Sequence, residues 1–401
     1  MRNYKFRLYP NKVVEAELNR QLDLCRWTYN RLLEELNKAK EEGKKLKRYD
    51  TQKLLVKLKE DKPELKNVYS KTLQMVNQQL WNNIHALVGR KKKGYKIGKL
   101  RFKGYDLFKS IFYNQSGFII GNRKIILSKV GKVKAEFHRE IKGNIKGIII
   151  SKRADKWFAC IQVENPKAER NQLKVKANTS NKAVGIDVGV THFLADSDYR
   201  FVENPRFLQK TADKIAVIQR QLAKKKKGSN RRNKVKLRLS KAYEHLANQR
   251  KDFAHKLSTE YVKNYGIIAV ENLNIQGMVR NHRLAKGIYD ACWLQFIFFL
   301  SYKAESAGRI LVRVDPRNTT QDCSVCGMKN IEHLDLSNRL FKCPYCKIEM
   351  DRDYNAARNI LIKALSGREP ASMLAEPGHI PLRKQRQVQV LKREAPSVRV
   401  E

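Results

Sequence analysis

Negative charge is what this chain lacks. Its 84 lysines and arginines face only 39 aspartates and glutamates, a formal charge of +45 over 401 residues. A compact body so unbalanced repels itself unless a polyanion neutralises it, and phosphate backbones do so with release of their counterions. Long hydrophobic runs are missing too. The longest, around Trp293 to Leu300, is interrupted by Gln295 and is too short to cross a bilayer. No leader pattern precedes Tyr4, so an intracellular protein with no membrane partner is expected. Cysteine is sparse and does not pair evenly: of seven, Cys25, Cys160 and Cys292 lie in apolar contexts where a free thiol packs as a small hydrophobe. That usage excludes a disulfide scaffold and fits a reducing compartment. Hydrophobic residues make up 42%, enough for two or three folded cores.

The other four cysteines have a pattern. Cys323 and Cys326 form one C-x2-C pair, and Cys343 and Cys346 form another after a 16-residue gap. A hairpin can bring two such pairs into a tetrahedral thiolate site for one structural Zn2+. Four thiolates leave no open position for a catalytic water, so this zinc would hold structure only.

Three acidic residues carry a second pattern. Asp187 sits near the end of the apolar run Val184 to Gly189, and Glu271 ends the run Ile267 to Glu271. Asp353 opens an amphipathic stretch whose Ala356, Ala357 and Ile360 suit close packing on a sheet. Gly185 and Gly189 would leave room beside Asp187 for a phosphate backbone. Separations of 84 and 82 residues mean that only a fold can assemble the three. Together they suit Mg2+ or Mn2+, hard cations that take carboxylate oxygens and keep waters and substrate phosphates as other ligands. Paired ions of this kind cleave phosphodiesters. Asp351 competes with Asp353 for the role or caps the helix, and Asp315 is a further candidate.

The periodicity divides the chain. A strand over Tyr4 to Tyr9 is ended by Pro10. Helices follow, one with Leu18, Leu22, Cys25, Tyr29, Leu32 and Leu36 on one face, another over Leu54 to Leu58, and a third beginning at Ser70 as N-cap. Short strands then recur between Ser110 and Glu164, separated by Gly and Asn, which suggests a small antiparallel barrel that includes the first strand. The expected organisation is a β-barrel of residues 1–10 and 105–180 carrying an inserted helical bundle, 11–104. A mixed α/β domain follows over 181–366, with a zinc ribbon at 315–350 inside it. Lys174 to Lys182 reads as a polar linker and 367–401 as a disordered basic tail.

Basic residues cluster within that plan. From Lys224 to Lys251 there are 12 against one acid, Glu244, on a helical hairpin whose apolar face is Val235, Leu239, Ala242, Leu246, Phe253 and Leu257. With almost no acids to pair along the helix, Lys224, Lys225, Lys226, Lys227, Arg231, Arg232, Lys234 and Arg238 are candidates for phosphate contact. Lys71, Gln74 and Gln78 lie at helical spacing on the third helix and suit base edges in a groove. Trp27 and Trp81 read as core, while Phe102, Phe112 and Tyr113 suit either base stacking or barrel core.

These stretches resemble the TnpB (OrfB) family, transposon-encoded RNA-guided nucleases related to type V CRISPR effectors. The resemblance rests on Val184 to Gly189, Leu222 to Asn230, Leu246 to Ser258, Val270 to Asn274, Thr319 to Gly327, Asp351 to Ala357 and the opening Tyr4 to Pro10. It implies a multidomain α/β protein with an RNase H-like (RuvC) nuclease domain, a β-barrel wedge domain and a helical recognition bundle. It places Asp187, Glu271 and Asp353 on the family's catalytic metal-binding positions and makes the ribbon a target-binding element. It also implies a guide RNA from the transposon end, double-stranded target DNA, a short flanking motif read by the helical bundle, and a prokaryotic cytoplasm, on the nucleoid when DNA-bound; the sequence does not give the oligomeric state, with a monomer favoured. Two rivals stand beside it: a protein-guided transposase or recombinase using the same triad, and a non-catalytic repressor.

Overall fold

The computed structural model describes residues 2–105, 107–164, 182–278, 280–330 and 339–366. The expected linker, apart from Lys182, and the expected basic tail lie outside them. The chain divides into two compact units, Met1–Glu169 and Arg170–Glu401.

The first unit opens with β1 (Arg2–Tyr9), whose alternate residues Tyr4, Phe6 and Leu8 are buried. Asn11 then caps α1 (Lys12–Glu41), its Oδ1 accepting the Val14 N–H at 2.8 Å. The expected face of α1 is buried from Leu18 to Leu32. α2 (Arg48–Asp61) starts where the Asp50 carboxylate takes the Lys47 N–H. α3 (Ser70–Lys91) differs from expectation at its start. Tyr69 holds the N-cap position, and the Ser70 hydroxyl instead accepts the Lys59 ammonium at 3.0 Å.

Strands β2 (Ser110–Asn114), β3 (Phe118–Gly121), β4 (Lys124–Leu127), β5 (Gly131–Glu136), β6 (Asn144–Arg153) and β7 (Lys156–Glu164) join β1 in a seven-stranded antiparallel sheet. Their order is β2-β6-β7-β1-β5-β4-β3, with β1 central between β7 and β5. One 3-10 turn, Gln115–Gly117, links the two edge strands, so the sheet is nearly a closed barrel. Strand β5 has Val133 and Ala135 as its inward residues, set between lysines, a weak apolar signal along the chain. Tyr113 is buried and donates to Gln21 of α1, so of the candidate stacking rings it belongs to the core.

The second unit is built on a five-stranded sheet of order β10-β9-β8-β11-β12. Its strands are β8 (Ala183–Val188), β9 (His192–Asp196), β10 (Phe201–Glu203), β11 (Ile267–Glu271) and β12 (Ile310–Val314). β8, β11 and β12 run parallel, while β9 and β10 form an antiparallel meander on β8. Helices cover both faces. Ile268 and Val270 pack toward α5 (Asn230–Asn264) and α8 (Trp293–Ser306). Ala269 packs with Ile360 and Ala364 of α9 (Arg352–Ser366) on the other face. Between the strands run α4 (Phe207–Ala223), which pairs with α5, and the shorter α6 (Ile275–Met278) and α7 (His282–Ala291). A two-stranded ribbon of β13 (Leu340–Lys342) and β14 (Glu349–Asp351) leads into α9. Among the described residues no helix is long and apolar enough to cross a membrane.

Candidate nuclease site

The site follows from strand parity. Side chains alternate across a strand, so Glu271 shares a face with Ala269, and Asp187 shares one with Gly185. Ala269 packs on α9. A Cβ added to Gly185 would lie 2.1 Å from the carbonyl oxygen of Ala357 on the same helix. Asp187 and Glu271 therefore end adjacent parallel strands on the face covered by α9, whose first turn carries Asp353. The C-terminal edge of parallel strands is where α/β sheets bind ligands. Gly185 itself departs from expectation: it admits a helix backbone, not a phosphate. Gly189 does border the site, with its would-be Cβ 4.0 Å from Asp353 Oδ2.

The electrostatics record the crowding. Burial first, then the Glu271 and Asp353 carboxylates, push Asp187 well above the usual carboxylate range, with Arg352 and the Val188 N–H opposing. Glu271 is also raised, by burial, against the Thr319 hydroxyl and Lys363. Thr319 donates to Glu271 Oε1 at 2.5 Å. Asp353 is 8% exposed and receives the Arg339 guanidinium at 3.2 and 3.3 Å, while Arg339 also donates to Thr191. Among the described residues the four cysteines are the group gathered closely enough to hold a metal ion, and the three carboxylates are not such a group. Buried carboxylate oxygens at one sheet edge nevertheless fit a hard divalent cation.

Asp351 and Asp315 have other work. Asp351 Oδ1 accepts the N–H groups of Asp353 at 2.8 Å and Tyr354 at 3.1 Å, an N-cap for α9. Asp315 is exposed and accepts the Arg317 N–H in its own turn.

The four cysteines form the second centre. Cys323 Sγ lies 3.7 Å from Cys346 Sγ, and Cys326 Sγ lies 3.6 Å from Cys343 Sγ. Zinc–sulfur bonds of about 2.3 Å give a tetrahedron with edges near ~3.8 Å, while a disulfide needs about 2 Å. The set is therefore spaced for a metal. Each pair sits in a similar knuckle: Gly327 N bonds Cys323 O, and Lys347 N bonds Cys343 O, with both Gly327 and Lys347 left-handed. Phe341 is fully buried beneath with Cys323 and Cys343.

Residues not singled out in the sequence tie the centres together. Asn355 and Asn359, one turn apart on α9, face the ribbon. Asn355 Nδ2 donates to Asp322 O and its Oδ1 accepts the Ser324 N–H; Asn359 Nδ2 donates to Thr319 O and Asp322 O. Two asparagines four apart amid Ala356, Ala357 and Ile360 were the available signal.

The candidate nucleic-acid residues divide. Lys224, Lys225, Lys226, Lys227, Arg231, Lys234 and Arg238 are exposed on the turn and face of the α4–α5 hairpin. Arg232 is instead half-buried and donates to Leu222 O at 2.7 Å and Lys225 O at 2.8 Å, closing the end of α4. Arg250, from the same basic run, is bound to Asp290 at 2.8 Å, and Asp290 also accepts the Leu208 N–H at the start of α4. On α3, Gln74 is exposed and Lys71 half-buried; Gln78 is half-buried between Arg48 and Asn82.

Comparison with known proteins fits this arrangement. Residues 159–282 match the OrfB_IS605 family, described as "Probable transposase"; residues 293–360 match a Cas12f1-like TNB domain, and residues 1–45 an OrfB_IS605 helix-turn-helix domain. The "Putative RNA-guided DNA endonuclease InsQ" of Escherichia coli (strain K12) is 30% identical over 375 residues, 89% of this chain and 91% of its own. The CRISPR-associated endodeoxyribonuclease Cas12f1 of Sulfoacidibacillus thermotolerans is 28% identical over 237 residues, 54% of this chain and 52% of its own. A cryo-EM structure of a Cas12f1–sgRNA–target DNA complex overlays at a TM-score of 0.34 and 17% identity, covering 90% of this chain and 98% of that one, too loosely to carry an argument. The chain belongs to the TnpB (OrfB) family, relatives of the type V CRISPR effectors.

Proposed function

We propose that this protein is an RNA-guided DNA endonuclease encoded by a transposable element, with Asp187, Glu271 and Asp353 as the ligands of its catalytic cations. The observation that carries the proposal is the placing of Asp187 and Glu271 at the ends of adjacent parallel strands under the first turn of α9, where burial and then the neighbouring carboxylates raise Asp187, a cost that bound cations would reverse. Divalent ions held there would supply an activated water and neutralise charge on the leaving 3′ oxygen. The chain's own groups prepare the place. Thr319 fixes one oxygen of Glu271, the Asp351 cap sets the first turn of α9 and so Asp353, and Gly185 lets that helix approach the strand. Arg339 balances Asp353 and would meet a phosphate on the same edge.

In this reading the second sheet, with α9 and the ribbon, is the RuvC-like nuclease domain, and Cys323, Cys326, Cys343 and Cys346 hold one structural zinc. The seven-stranded sheet is the wedge domain and α1–α3 the recognition bundle, where Lys71, Gln74 and Gln78 read a short motif flanking the target. The exposed lysines and arginines of the α4–α5 hairpin bind the guide RNA, and base pairing selects the target. Guide dependence rests on family membership.

The test is to sequence RNA that co-purifies with the protein and to assay cleavage with it. A discrete noncoding RNA and cleavage that needs RNA, Mg2+ and Asp187 are expected. Cutting or joining of specific ends by RNA-free protein would make it a transposase. A biological effect undiminished in Asp187→Ala would make it a binding protein.

A further inference from the structure

The last residues of α3 and its connection to β2 hold nine lysines and arginines from Arg90 to Lys109 against one acid, Asp106. Three aromatic rings are interleaved with them, and each is more than half exposed: Tyr95 at 60%, Phe102 at 56% and Tyr105 at 77%. The segment does not lack a core to bury them in. Phe108 is inside it and Leu100 packs against it. Between these two anchors the backbone is pinned at Lys103, whose N–H donates to Asn30 Oδ1 at 2.7 Å and whose carbonyl accepts Asn30 Nδ2 at 2.9 Å. Phe102 and Tyr105 thus flank a fixed point and still face water. The Arg90 guanidinium lies 6.0 Å from the Tyr95 ring, within cation–π range.

Open ring faces alternating with unbalanced cations are the two halves of a single-strand site. Rings stack on bases of any sequence while cations follow the phosphates. A duplex offers no free base faces, so it gains only the second half. α3 runs directly into the segment and carries the exposed Gln74 and the half-buried Lys71, which the function proposed above sets against a target duplex. A strand separating from a duplex on α3 would meet these rings next. We propose that residues 95–105 form a stacking strap for a separated strand of DNA. This rests on the reading of the chain as a DNA endonuclease that opens its target.

The experiment measures binding of the purified full chain to a fluorescent 20-mer oligo(dT), a 20-base-pair duplex and oligo(U). The variants are the triple substitution Tyr95→Leu, Phe102→Leu, Tyr105→Leu, which keeps apolar bulk and every cation, and the double substitution Tyr95→Phe, Tyr105→Phe, which keeps the rings. The triple variant should bind oligo(dT) at least about tenfold more weakly, since each stacked base contributes severalfold or more. Its slope of log affinity against log salt should stay unchanged because no cation is lost. Duplex binding should stay within about twofold, and the double Phe variant should bind like wild type. Should the triple variant not fold, Tyr105→Leu alone should weaken oligo(dT) about fivefold. A smaller loss, an equal loss on duplex, or a loss confined to oligo(U) overturns the proposal. Oligo(dT) binding is measured in EDTA, where no cleavage occurs, so failure of the strap appears in this assay and failure of the nuclease reading only in the cleavage assay.

Discussion

Asp187 and Glu271 both titrate above their ordinary range, and the consequence has a definite sign. A carboxyl raised in the fold favours folding while protonated, so metal-free protein loses stability as pH climbs from about 4, the open-chain value, through the higher folded values. Asp187→Asn cannot ionise. In EDTA at pH 7 it should therefore melt a few degrees above wild type, at about 2–4 °C per kcal/mol, and the gap should close below about pH 4. Magnesium should raise the wild-type melting temperature and leave that of the variant unmoved. Calorimetry that finds the variant no more stable in EDTA at pH 7 removes the argument from crowded carboxylates. Thr319→Val tests the neighbour. It deletes a hydrogen bond worth about 1 kcal/mol, so cleavage should fall several-fold. Thr319 also holds Glu271 down, and the alkaline shift of the pH–rate profile that its loss implies is something a merely structural residue would not produce.

At the scale of elements, the ribbon and α9 act as one piece. β14 runs into α9 without a loop, and the two asparagines grip the ribbon's first turns at Thr319, Asp322 and Ser324. The double variant Asn355→Ala, Asn359→Ala strands buried carbonyl and N–H groups at a cost of about 1–3 kcal/mol each. Hydrogen exchange should then quicken at residues 319–324 before the rest of the unit unfolds, and uniform protection there would count against the tether. Cys343→Ser should release the metal, read directly as zinc per chain. It should also lower cleavage, although no cysteine lies among the three carboxylates, because the lost metal frees β13 and β14 and thereby Asp353. Full activity in a zinc-free variant would show that the ribbon does not position the site.

For the whole molecule the governing quantity is the charge of +45. Self-repulsion should make the nucleic-acid-free protein melt higher as sodium chloride rises from low to moderate concentration, and higher again with heparin, a polyanion with no sequence. A melting temperature indifferent to both would mean that the charges sit too far apart to matter. Much of this was legible along the chain. Composition pointed to a polyanionic partner, thiol spacing picked out the four cysteines that the fold gathers, and two-residue and three-to-four-residue periods located most strands and helices. These are local signals, carried by residues a few positions apart. What tertiary structure alone decided is which groups remain available. It turned Asp351 into a cap and Arg232 into a helix stop, seated Gly185 under a helix, buried Tyr113 and left Phe102 in water. It also brought Thr319, Arg339, Asn355 and Asn359 to the carboxylates and the ribbon. The physical reason is that a side chain's partner is set by packing between segments distant in sequence, and no local period records that distance.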